Sequence, residues 1–111
     1  MDEISANSNR RVDARISHDQ YYSVQFTKGE LGVLYHYKIW TIPSKGMFIL
    51  VRPDSTIINH LKVQDILDME YYSEKGERPI DQTKTQIKYI IKNKQGRFKG
   101  HYLVGLSRLG A

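Results

Sequence analysis

Two short stretches hold the residue types that could do chemistry. Arg10, Arg11 and Arg15 lie in a polar N-terminal segment, and Thr41-Ile42-Pro43-Ser44-Lys45-Gly46 reads as a turn opening into the apolar run Met47-Phe48-Ile49-Leu50-Val51. A guanidinium grips phosphate through paired hydrogen bonds, and its plane stacks on bases. Arginines on a flexible arm suit a polyanion, because such an arm can close over a ligand and become ordered by it. A tight turn suits the rim of a binding site. By itself Arg-x-x-x-Arg reads first as a basic tail, so the weight rests on its distance from the turn.

The other reactive side chains point away from catalysis. His18, His36, His60 and His101 stand in no metal-ligand spacing, and the chain has no cysteine. No Gly-x-Ser-x-Gly elbow, Walker-type loop or strand-borne Gly-x-Gly-x-x-Gly is present. Asp68 and Glu70, with Asp65 nearby, are spaced to share one side of a strand, which reads as a solvated face rather than an acid/base pair. The expectation is a protein that is not an enzyme, with no metal site and no cofactor.

The elements that must position these residues are strands. The 111 residues suit one domain, 40% are hydrophobic, and eight are Tyr, a residue suited to half-buried strands. Residues 1–20 read as a flexible N-terminal arm and residues 21–111 as the folded domain. Tyr22, Val24 and Phe26 alternate with polar residues, and alternation continues through Tyr35–Ile42 until Pro43 and Gly46 break it. The run Met47–Val51 reads as a strand with both faces partly covered. Asp54 or Ser55 is placed to cap one or two helical turns through Leu61. Leu67–Tyr72, Thr83–Asn93 and Phe98–Leu106 complete the set, with Thr85, Ile87, Tyr89 and Ile91 expected on one face. About six strands and at most one short helix imply a mainly all-β chain, a small six-stranded antiparallel barrel.

The charge is +5 at neutral pH and the pI about 9.5, a mild attraction for anionic partners. No apolar stretch approaches the roughly 18–20 residues that cross a bilayer, so a soluble, cytoplasmic protein is expected.

Taken in order, Arg11-x-x-x-Arg15, 25 intervening residues and Thr41-x-Pro43-x-x-Gly46 leading into an apolar strand resemble the signature of the PilZ domain family. That signature is Arg-x-x-x-Arg followed, a few tens of residues on, by Asp/Asn-x-Ser-x-x-Gly. Leu61–Leu67 is similar to the family's approach to its middle strands, and Tyr102-Leu103-Val104-Gly105-Leu106 to its closing strand with a Val-Gly pair. The resemblance covers about residues 10–108. It implies a six-stranded barrel that binds the bacterial second messenger cyclic di-GMP and signals to a downstream protein. Arg11 and Arg15 would clamp phosphate and guanine, Arg10 would assist, and Gly46 would make the turn.

The second motif departs from the family pattern. Thr41 stands where Asp or Asn is expected and Pro43 where Ser is expected; neither offers a carboxylate or amide, and Pro lacks even a backbone N–H. Ser44, one position later, is the substitute hydroxyl. The alternative reading is therefore a PilZ-like protein-interaction module that has lost nucleotide binding. A third reading, an oligonucleotide-binding barrel using Lys88, Lys92, Lys94, Arg97 and Lys99, ranks last, because those cations read first as a solvated hairpin. Trp40 beside the turn is expected to pack on the barrel.

Overall fold

The computed structural model describes residues 21–29 and 32–109. The expected arm, with Arg10, Arg11 and Arg15, lies outside the described residues. Seven strands follow in order: β1 (Ser23–Lys28), β2 (Val33–Lys38), β3 (Trp40–Ile42), β4 (Gly46–Val51), β5 (Ile66–Tyr72), β6 (Asp81–Lys92) and β7 (Tyr102–Arg108). They form one curled antiparallel sheet, a half-barrel, ordered β2-β1-β5-β6-β7-β4-β3.

The count is seven rather than six because the expected strand Tyr35–Ile42 is broken at Ile39. Its N–H still bonds the Tyr22 carbonyl at 2.8 Å, extending the β1–β2 register by one residue, and its side chain is buried in the core. That one residue turns the chain from one edge of the sheet, β2, to the other, β3. The two edges therefore meet at a corner, which is how so small a sheet curls on itself. The expected helical turn is a 3₁₀ helix, Thr56–His60; Ser55 precedes it, but its hydroxyl makes no capping bond.

The concave face holds the core. Val24, Phe26, Met47, Ile49, Val51, Met69, Tyr71, Ile87 and Val104 pack there, closed from below by Ile57 and Leu61. A β-bulge between Ile87 and Tyr89 changes the phase of β6. Ile90, not Ile91, consequently joins the core, while Tyr89 and Ile91 pair with Gly105 and Leu103 on the convex face. The single face expected for Thr85, Ile87, Tyr89 and Ile91 is thus split at Lys88. The Phe98–Leu106 strand also begins later, at Tyr102, because residues 93–101 form the connection.

β4 has both faces covered, which explains its unbroken apolar run. Phe48 is buried on the convex side opposite Gly105, with Trp40 beside it in register. Because every neighbouring pair is antiparallel, the starts of β1, β4 and β6 and the ends of β5 and β7 fall at one end of the half-barrel.

Candidate functional site

At that shared end, the second sequence motif forms the β3–β4 hairpin. Ile42 pairs with Gly46, and the Lys45 N–H donates to the Ile42 carbonyl at 3.1 Å. Gly46 sits at φ +69°, a conformation that a side chain with a Cβ resists. Thr41, Pro43 and Ser44 are exposed on the hairpin, so three of the expected ligand residues, Thr41, Ser44 and Gly46, occupy one rim.

Beside the rim lies a cavity of about 370 Å³, lined by Lys45, Gly46, Lys88, Tyr89, Ser107 and Arg108 among others. The Tyr89 hydroxyl donates to the Lys45 carbonyl at 2.9 Å and ties the hairpin to β6. The bulge at Lys88 is what aims Tyr89 this way. Gly105 makes room for it, since a Cβ there would overlap the tyrosine ring.

Arg108 joins the cavity to the base of the N-terminal segment. Its guanidinium donates to Asp81 Oδ2 at 2.5 Å, and the same oxygen accepts the Tyr21 hydroxyl at 2.6 Å. The guanidinium carbon lies 4.9 Å from the Tyr21 ring centroid and 5.9 Å from that of Tyr71. Cation and rings attract, and the flat fork suits the tyrosine faces. Among the described residues the buried Arg108 Nε–H meets no acceptor. The Tyr21 hydrogen bond, ahead of the Arg108 charge, holds the Asp81 carboxyl below its usual range. Burial, and then the bond to Asp81, pushes the Tyr21 hydroxyl up to about 12, and burial does the same to Tyr71.

The electrostatic balance of the cavity follows. Asp81 offsets Arg108, whereas Lys45 and Lys88 make no ion pair among the described residues. The cavity is therefore cationic at its mouth and aromatic along one wall, a combination suited to a phosphate attached to a ring system.

Asp68 and Glu70 lie on the convex face. Asp68 pairs with Lys84 at 3.0 Å, and Glu70 accepts from Gln25 and Gln82, each at 3.2 Å. These partners leave the carboxylates in a polar ladder rather than facing each other as an acid/base pair. Among the described residues no group of three or more metal-ligating side chains converges.

Sequence reasoning missed Lys88, Tyr89, Asp81 and Arg108 as partners of the Gly46 turn, having named Lys88 only among the cations of the oligonucleotide reading. Only the β-bulge turns the first two toward the hairpin, and only the sheet order brings Tyr21, Asp81 and Arg108 together. A second concavity was also missed. On the convex side Phe98 packs edge-on to Trp40 with centroids 5.8 Å apart, forming a hollow of about 310 Å³. Among the described residues no helix is long and apolar enough to cross a membrane.

No family model, no curated protein and no solved structure matches the chain.

Proposed function

We propose that the chain is a non-catalytic receptor for cyclic di-GMP, with the ligand seated between the Gly46 hairpin and the N-terminal arginines. The observation that carries this reading is the shared end. Tyr21, the first described residue, is hydrogen-bonded to Asp81, and Asp81 is paired with Arg108, which lines the cavity beside Gly46. Arg15 precedes Tyr21 by six residues, and six residues of chain reach about 20 Å. Chain length therefore allows Arg15, and the arginines before it, to reach the cavity.

In this reading Lys45 and Lys88 meet one phosphate, Arg11 and Arg15 clamp the other phosphate and a guanine, and Ser44 supplies a hydroxyl at the rim. Arg10 adds a further cation. Ligand capture pins the arm against the barrel, and the difference in affinity between arm-on and arm-off states is the whole signal to a downstream protein. Calorimetric titration of the full chain with cyclic di-GMP tests it. Saturable heat that shrinks with added salt is expected. No heat at about 100 μM ligand, where even a weak site of some 8 kcal/mol would fill, removes the proposal.

Thr41 and Pro43 favour a second reading, a protein-interaction module whose nucleotide site has decayed. Both side chains are exposed on the hairpin, where they present neither carboxylate nor amide to a guanine edge.

A further inference from the structure

The hollow beside Trp40 is built from distant parts of the chain. Trp40 opens β3, and Phe98 and His101 come from the β6–β7 connection. Phe98 lies between them, edge-on to Trp40 and 5.5 Å from His101 by ring centroids. Tyr37 and Leu50 complete the apolar lining, with Lys38 and Arg52 at the rim. A shallower depression adjoins it through Arg52 and His101 and adds Lys99.

Three observations specify the occupant. The cations sit against rings: Lys38 Nζ is 4.2 Å from the Trp40 centroid, and the Arg97 guanidinium is 5.3 Å from that of Phe98. After Asp81 the sequence contains no further acidic residue, and the carboxylate that lines the adjoining depression beside Lys99, Asp54, is taken up by Arg52. Among the described residues none of Lys92, Lys94, Arg97 and Lys99 forms an ion pair. Finally, the His101 ring stands in the lining beside Phe98, its buried Nδ1 without a hydrogen-bond partner among the described residues.

We infer that this groove binds single-stranded nucleic acid. One base enters the hollow against Trp40 and Phe98, with the His101 ring beside them. Neighbouring phosphates lie along Lys38, Arg97 and Lys99. Aromatic platforms flanked by cations hold unpaired bases in this way with little regard to sequence. A paired base could not enter, because its edge and faces are already engaged. An acidic peptide would satisfy the cations but leave the rings unused. In the sequence the hairpin cations read as a solvated face; packing of Phe98 onto Trp40 is what turns them into the border of a groove. The site is separate from the Gly46 cavity and stands whether or not cyclic di-GMP binds there.

Trp40 is the only tryptophan, so its fluorescence reports this groove alone. The test is titration of the full chain with an oligothymidylate of roughly a dozen nucleotides, a length that spans a small barrel's site. Saturable quenching is expected, with affinity falling steeply as salt rises. Phe98→Ala should weaken binding by about 5- to 150-fold, the range of one lost stacking contact, while Lys45→Ala at the other cavity leaves it within about twofold. Lys99→Glu, at an exposed position, should weaken binding too and guards against misfolding of the Phe98 variant. Three results would each overturn the inference: no quenching, Phe98→Ala and Lys99→Glu both binding as tightly as the parent, or polyglutamate quenching equally well.

Discussion

Tyr89 lies flat over Gly105, and the same tyrosine hydroxyl holds the Lys45 carbonyl at 2.9 Å. A glycine in the middle of β7 is thereby coupled to the hairpin that carries Gly46. Gly105→Ala forces the ring aside, at a cost of about 1–3 kcal/mol for overpacking. Thermal or urea unfolding measures that loss. Tyr89→Phe keeps the ring and removes only the hydroxyl, so it should cost about 0.5–1.5 kcal/mol or less. If Gly105→Ala proves the milder change, the packing described for Tyr89 is wrong.

The Tyr21–Asp81–Arg108 cluster sets the pH range of stability. The Asp81 carboxyl titrates below its usual value in the fold. The folded state therefore binds this proton more weakly than the unfolded chain does. Its contribution is present above the ordinary carboxylate range, near pH 4, and is lost as pH falls through the lower folded value. Melting temperature should drop on that acid limb, and Asp81→Asn should flatten it.

Tyrosine gives the alkaline limb with the opposite sense. Tyr21 and Tyr71 are raised to about 12, so the fold holds their protons more tightly. Their contribution is full below about pH 10 and declines as pH climbs from there toward 12. Absorbance titration of tyrosinate should show several tyrosines ionising late, with Tyr21 and Tyr71 near 12, and one of that pair should disappear in Tyr21→Phe. A titration in which every tyrosine ionises near 10 would contradict the cluster.

The alternation of Tyr22–Thr27 was legible in the sequence because a half-buried strand repeats every two residues, the run of β4 because an unbroken apolar stretch marks a strand covered on both faces, and the β6–β7 pair because two strand-like runs flank a short polar stretch. The break at Ile39 was not, since Tyr35–Ile42 alternates without interruption and only the corner between sheet edges demands it. The bulge at Lys88 was equally hidden: Tyr89 and Ile91 continue the pattern of Thr85 and Ile87, yet they face the other way. At the site, Gly46 announced its turn by residue type. Arg108 did not announce its role, because its partners Tyr21 and Asp81 are joined to it only by strand order.

Charge at the cavity mouth separates a nucleotide site from a bare surface. Lys88→Ala and Lys45→Ala should each weaken cyclic di-GMP by about tenfold, near 1.4 kcal/mol for a lost charged contact. Both side chains are exposed, so the unfolding temperature should hold within a degree or two. Unchanged affinity in both variants would move the ligand elsewhere.

Restoring the departures of the second motif distinguishes a working site from a decayed one. Thr41→Asp with Pro43→Ser adds a carboxylate and a hydroxyl to the exposed rim. If the native chain already binds, affinity should rise by roughly 10- to 100-fold, for about one or two gained hydrogen bonds. Binding only by the double variant supports the decayed module, and equal binding by both removes it.

Backbone amide resonances followed while cyclic di-GMP is added give the most direct test. The account predicts saturable shifts in Arg11, Arg15, Gly46, Tyr89 and Arg108, with the Trp40–Phe98 groove left unmoved. Shifts confined to that groove, or none at all, would contradict it.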